Sequence, residues 1–543
     1  MAAYGLDDGR GRLPLRFGSM GGRVKIRMVL TVGALVAAAA VLTPVAAGVP
    51  AGAKESGDSS GSSTESSTDG VERLHFEYGP ISIKPGQNTI EFSEGQVPKP
   101  DVDGWIVGIR PNITKANGKI PPVDVLHLHH GVWLSNSAKD TTRPNLPERF
   151  FAAGEEKTQM ELPEGYGYRY RADDSWTINY MVHDLTPAPF EVFITYDIDF
   201  IPADSPAAEG IEPARPIWMD VQNGEVYPVF DVIKGSGTDG TYTYPTDATD
   251  PYAGGAPKNE WTVDRDGILL GTGGHLHPGG LHDDLWLRRD GAGATASDDA
   301  KRSIDRDTAH LFRSKAKYFE PAGAVSWDVA MTITRPDWNV QVRKGDVLSM
   351  TTTYDSSRAS WYESMGIMVV FMADGTTGRD PFQTRVNQRG KLSHGHLPEN
   401  DNHGGKKVTY ENPLRFDKVD VDPTDRIEIE NFLYGVGDLM GEGTVPTVKS
   451  GQQLTYYNVD APREAGIWHS LTACKAPCNK ETGIAYPLAD ADVQFDSGQL
   501  GDAGTPTAGT LSWKTPADLD PGTYTYFCRV HPFMRGAFAV EGT

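Results

Sequence analysis

Apolar and polar residues alternate with a period of two in short runs along most of this 543-residue chain, and no long helical period interrupts them. Runs such as Val192–Ile201 (VFITYDIDFI), Val325–Ile333 (VSWDVAMTI) and Arg426–Phe432 (RIEIENF) turn one face of an extended segment inward and the other to water. Sixty glycines and 38 prolines supply the breaks. The chain therefore reads as all-β, with β-sandwiches joined by turn-rich loops. Its length is too great for one core and suggests about three or four domains.

A formal charge of −22 argues against nucleic acid as a partner, because phosphate binding needs a face on which Lys and Arg outnumber acids. It serves mainly to keep a secreted protein soluble. Residues 28–49 are an apolar run preceded by Arg23, Lys25 and Arg27 and followed by Ala51–Ala53, the order of an export signal. At about 20 residues the run is also long enough for a retained N-terminal membrane anchor. Either way the remainder is expected outside the cytoplasm, after a Ser- and Gly-rich linker. The boundaries expected are 1–53 for the signal or anchor, 54–71 for the linker, 72–212 and 213–376 for two sandwiches, 377–407 for a His-containing connection and 408–543 for a third sandwich.

The last of these carries the most specific motif. Thr525–Ala537 reads TYFCRVHPFMRGA and places Cys528, His531 and Met534 on one tight loop. A mononuclear blue copper site needs a thiolate, two imidazoles and a weak axial thioether, with the second His on a neighbouring strand. His469, in GIWHSLTAC, is the natural remote partner. The competing reading is a buried structural cysteine. The Cys-x2-His-Pro-Phe-Met-Arg-Gly run after an alternating Tyr-x-Tyr strand resembles the amicyanin-type short-loop cupredoxins. With Cys528 given to copper, Cys474 and Cys478 remain as a five-residue disulfide loop, or alternatively as a metal-binding pair.

The histidines are clustered rather than scattered: LHLHHGVW (His127, His129, His130), YMVHDL (His183), GGHLHPGGLH (His275, His277, His282) and SHGHLPENDNH (His394, His396, His403). His-x-His on a strand puts two imidazoles on one face, a ready chelate. His275 and His277 have that spacing, and Met365, at the entry of an apolar strand, could add a thioether that favours Cu(I). In LHLHHG a regular strand sends His130 to the opposite face from His127 and His129, so adjacent histidines share a metal only at a bulge or strand end. Gly131 permits such a distortion, and His183 could complete a three-imidazole site. The residues alone do not choose between His127 and His130.

The order His-His, single His on a strand, His-x-His, then Met after GDVLSMTTTYDSS resembles the copper type II monooxygenases, the peptidylglycine alpha-hydroxylating and dopamine beta-monooxygenase family. That resemblance implies two jelly-roll-like sandwiches, each with one copper, facing each other across a solvent-filled cleft. It implies an electron-storing site of His129, His130 and His183, and a dioxygen site of His275, His277 and Met365, where an activated C–H bond of a small-molecule substrate is hydroxylated. One type 1 and two type 2 coppers are thus expected. Electrons would come from ascorbate or another external donor, here through the fused cupredoxin.

Two positions depart from the family. Gly273 and Ile367 stand where peptide-hydroxylating members hold a carboxylate with Arg and Asn, and apolar Ile367, Met368 and Val369 suggest a less polar substrate or simply strand core. No cysteine precedes Cys474, so stability must come from packing rather than disulfides. His127 could instead hydrogen-bond a ligand from behind. His394, His396 and His403 could bind a further metal, brace the third sandwich or lie in solvent; His282 and His310 read as structural. A copper reductase coupling type 1 and type 2 sites, and a substrate-free copper or electron carrier, are the rival functions.

Overall fold

The computed structural model describes residues 65–66, 70–87, 90–223, 228–319, 327–397, 412–440, 444–463, 467–474, 493–501 and 510–542. It is nearly all β, as the alternation requires; the one α-helix among the described residues is the four-residue Asp460–Arg463. The N-terminal apolar run, Cys478, the side chain of Cys474 and His403 lie outside the described residues. No described helix is long and apolar enough to cross a membrane.

In the first sandwich the long strands Glu72–Ile83, Phe190–Pro202 and Gly104–Lys115 pair antiparallel. They face a four-stranded sheet of Ile90–Phe92, Trp176–Asp184, Leu126–Lys139 and Pro147–Gly154. Ile106, Ile109, Trp133, Ile178, Ile194 and Phe200 fill the space between. The second sandwich sets Glu212–Asp220, Ile367–Asp374 and Gly267–His275 against Gly280–Arg288, Thr308–Tyr318 and Val347–Asp355.

One sheet serves two cores. From strands Glu212–Asp220, Gly267–His275 and Ile367–Asp374, alternate residues Ile217, Met219, Leu269, Met368, Val370 and Met372 enter the second sandwich's core. Their neighbours Trp218, Ile268, Leu270, Ile367, Val369 and Phe371 enter the first. A strand buried on both faces must be apolar at every position, which is why Ile367–Ala373 shows no alternation. Each such side chain contributes about 1.5–3 kcal/mol of burial, so the two sandwiches are packed directly together. The solvent-filled cleft implied by the family resemblance is absent from this part of the molecule.

The third sandwich is a mixed β-fold. Asp417–Asp420 and Thr444–Lys449 run parallel, Thr444–Lys449 and Arg535–Glu541 likewise, and Gly522–Phe527 pairs antiparallel with Arg535–Glu541. A smaller sheet of Arg426–Ile429, Thr455–Asn458 and Ser512–Lys514 covers it. Between Phe527 and Arg535 the chain leaves the hairpin as a tight loop, and that loop is pressed against both other sandwiches.

Candidate metal centres

The loop brings Cys528 and His531 together with the remote His469. Cys528 Sγ lies 3.6 Å from His531 Nδ1 and 3.9 Å from His469 Nδ1, with the two nitrogens 3.2 Å apart. Met534 is fully buried at the end of the same loop, its N–H donating to the His531 carbonyl at 2.8 Å. The sulfur also accepts the N–H groups of Ser470 and His531, both at 3.4 Å. Asp460 takes the far nitrogen of His469 at 3.0 Å, and the Gly86 carbonyl takes that of His531 at 2.5 Å. These outer contacts fix each tautomer and leave Nδ1 to ligate. Phe432 stands edge-on to both imidazoles and shields them.

In the first sandwich the register between Leu126–Lys139 and Trp176–Asp184 shifts between Leu128 and His130, so His129 is the extra residue of a bulge. The distortion falls two residues before Gly131. It resets the alternation: Leu126, Leu128 and Trp133 enter the core, while the three histidines lie on the other side. His127, His129 and His183 then each offer a ring nitrogen within 4.8 Å of the others. His127 thus takes the place assigned by resemblance to His130, which instead lines a cavity with His275 and Met365.

His275 ends its strand and His277 sits in the following turn, so their rings meet at 83° and 5.2 Å rather than side by side on a strand. His275 shares its cavity with Met365, while His277 turns to His129, ring centroids 4.1 Å apart. The two histidine groups form one continuous seam.

Each of these rings is pinned from behind. His127 Nδ1 donates to the Val123 carbonyl at 2.6 Å, His277 Nδ1 to that of Glu363 at 2.7 Å, and His183 Nε2 to that of Val530 at 2.7 Å. His275 Nδ1 meets the Glu156 carboxylate at 3.0 Å. The opposite nitrogens, His127 Nε2, His183 Nδ1, His275 Nε2 and His277 Nε2, are buried with no hydrogen bond. Each orphan costs about 1–3 kcal/mol, so four in one seam is unfavourable unless a metal takes their lone pairs. A donor set of imidazoles plus one thioether fits copper.

Electrostatics keep most of these rings neutral. Burial lowers His127 and His277 well below the usual range, and lowers His129 and His183 to about 3, with neighbouring imidazoles adding to the effect. For His275, burial also acts downward, but the charge and hydrogen bond of Glu156 outweigh it and hold the ring above its ordinary value.

Sequence reading missed the carboxylates of this seam. Glu155 and Glu156 follow the apolar run FFAAG and look like a surface turn, yet both are buried, with Glu155 Oε2 3.4 Å from His129 Nδ1. Burial raises Glu155 well above the carboxylate range, with Glu156 adding to it. Glu363 is also buried, and its backbone sits at φ +55°, a strained conformation for a non-glycine. An acidic pair directly after five apolar residues was the available signal.

Among the remaining histidines, His394 donates to the Glu156 carbonyl at 2.9 Å and His396 pairs with Asp328. Neither contact is to the third sandwich that these two could brace; they tie the segment to the first and second sandwiches. His282 and His310 share Asp284 with Arg313, a structural ion-pair knot.

No family model and no curated protein matches the chain. Among solved structures it is similar to the Cu(I) form of an amicyanin mutant, with 21% identity over 24% of this chain and 92% of that one, TM-score 0.14. A second amicyanin mutant in its reduced state gives 19% identity, the same shares and a TM-score of 0.11. A copper-containing nitrite reductase from Thermus scotoductus gives 12% identity over 50% of this chain and 54% of that one, TM-score 0.13.

Proposed function

We propose that the protein is an extracytoplasmic copper-dependent monooxygenase in which a type 1 copper centre supplies electrons to the histidine seam. The supporting observation is the hydrogen bond from His183 to the carbonyl of Val530, the residue immediately before His531. Through it, two candidate ligands of different centres are joined by one hydrogen bond and a few covalent bonds. That short link would serve as the path for the electron.

His469, Cys528, His531 and Met534 would hold the type 1 copper. His127, His129 and His183 would hold the relay copper, and His275 and Met365 the copper beside the cavity, with His277 turned toward His129 between the two groups and His130 in the cavity wall. Copper would supply one-electron redox chemistry and dioxygen binding at the thioether-bearing centre. The overall reaction is RH + O2 + 2 e− + 2 H+ → ROH + H2O, with both electrons drawn from an external small-molecule reductant such as ascorbate.

The residues act by preorganisation. Val123, Glu363, Glu156 and Val530 hold the rings in single tautomers. The same link to Val530 would serve a reductase. Met365 in the wall of a roomy apolar cavity favours oxygen activation on an organic substrate. Met365→Ala should abolish reductant-dependent oxygen uptake with the blue absorbance retained, whereas Cys528→Ser should remove the blue absorbance. Full uptake by Met365→Ala would refute the assignment.

A further inference from the structure

A cavity of about 310 Å³ opens beside His275 and Met365, room for about ten water-sized groups. Its wall is built from Val132, Leu134, Leu146, Ala153, Trp218 and Ile367. We infer that it binds a compact neutral, largely hydrocarbon molecule and rejects carboxylates; that this molecule is the one oxidised rests on the monooxygenase reading, but its binding does not.

The charge arrangement carries the inference as much as the apolar wall. Among the described residues Arg149 is the one Lys or Arg side chain lining the cavity, and its guanidinium is already engaged. Nε donates to Asp140 at 2.8 Å, Nη2 to Asn223 Oδ1 at 3.0 Å, and Nη1 lies 3.7 Å from Asp220. The group also stacks on Trp218 at 4.5 Å. An incoming carboxylate would have to displace Asp140 or Asp220 from a buried pair, leaving one charge without its partner.

The amides in the wall are similarly committed. Asn179 Nδ2 donates to the Glu91 carbonyl at 3.1 Å, and Asn136 Nδ2 to Ser175 and Thr177 at 3.2 and 2.9 Å. A strongly polar ligand would lose its water and regain few hydrogen bonds. A hydrocarbon loses nothing on entry and gains apolar burial. The orphaned Nε2 of His275 and the thioether of Met365 are the soft, reactive end of an otherwise inert chamber.

The test uses the copper-loaded full-length protein reduced to Cu(I), a soft metal with little affinity for a hard carboxylate oxygen, with toluene and benzoate as probes that share one phenyl ring, read anaerobically by tryptophan fluorescence and calorimetry. Toluene should bind at least tenfold more tightly than benzoate, and Val132→Trp, which fills the cavity from a half-buried position, should weaken toluene at least tenfold. Leu134→Phe serves the same purpose if the first variant does not fold. Benzoate binding as tightly as toluene, binding of neither, or toluene affinity unchanged in the folded filling variant would overturn the inference. Oxygen uptake is read separately: toluene that binds without stimulating it leaves the cavity inference standing and sinks the monooxygenase reading.

Discussion

Gly154→Ala is the smallest change that tests the histidine seam. A Cβ at this position would lie 2.4 Å from the His129 carbonyl oxygen, 2.6 Å from His275 Cε1 and 2.8 Å from Glu156 Oε2. Ordinary non-bonded contacts begin near 3.5 Å, so these neighbours must each retreat by roughly 0.7–1.1 Å or the backbone must move. The His129 carbonyl belongs to the bulge, and Glu156 is tied to the N–H of Gly154 itself at 3.0 Å. The imidazole of His275 is the freest to yield, and moving it stretches its bond to Glu156. Overpacking costs about 1–3 kcal/mol, which a protein of this size can survive. A 1 Å displacement of a reacting group costs about 100-fold in rate. The expected variant is folded and blue, has lost one of three coppers by metal analysis, and consumes oxygen about 100-fold more slowly. Gly395→Ala, where an added Cβ meets nothing within 4 Å, is the control. A folded Gly154→Ala protein with three coppers and full uptake would refute the placement of His275.

Three further outcomes are expected. Arg529→Ala removes a buried guanidinium that bonds the Ser360 carbonyl and Asp496 and stacks on Trp361 at 5.0 Å; it should cost about 3–5 kcal/mol and slow re-oxidation of the blue centre in stopped flow, and unchanged kinetics would show that docking is irrelevant to electron transfer. His127→Ala should lose the relay copper while His130→Ala retains it, measured by spin resonance; the reverse would restore the family-derived ligand set. Copper should leave in a fixed order as pH falls. His129 and His183, at about 3, present neutral rings throughout pH 5–8, so no proton competes there. His275, held above its ordinary value by Glu156 against burial, gains a proton as pH drops through that raised value and loses affinity by up to about tenfold per pH unit below it. Dialysis against a chelator at graded pH should release the cavity-side copper before the relay copper, and the opposite order would sink this account.

Legibility in the sequence tracked how local each constraint is. The Cys528–Met534 loop was readable because three of its candidate ligands lie within seven residues and the fourth, His469, comes just before the adjoining strand Thr472–Cys474. The all-β architecture was readable because alternation is a local signal. The choice between His127 and His130 was not, because it depends on which residue a bulge inserts, and the shift at His129 is set by pairing with a strand some 50 residues away. Ile367–Ala373 was ambiguous for a related reason: an apolar run states that both faces are buried, not that the second face belongs to another sandwich. Glu155 and Glu156 were legible only as an acidic pair after an apolar run, because nothing in their own neighbourhood announces the imidazoles packed against them, His129 of the first sandwich and His275 of the second.

The same long-range contacts explain why three sandwiches are fused rather than separate. The relay imidazole of His183 is oriented by the third sandwich through Val530, that of His277 by Glu363 of the second, and that of His275 by Glu156 of the first. His531 of the third is held in turn by Gly86 of the first. The first and third sandwiches thus each supply a hydrogen-bond acceptor that positions a candidate ligand on another, while Glu363 of the second positions that sandwich's own His277. A separated third sandwich would retain its own sulfur and Nδ1 donors but lose the carbonyl that fixes His531. The remaining pair would keep its cavity but lose the acceptor for His183. Cooperative unfolding of the sandwiches is the consequence: a single calorimetric transition is expected for the intact protein, and independent melting of the C-terminal domain would contradict the cross-bracing.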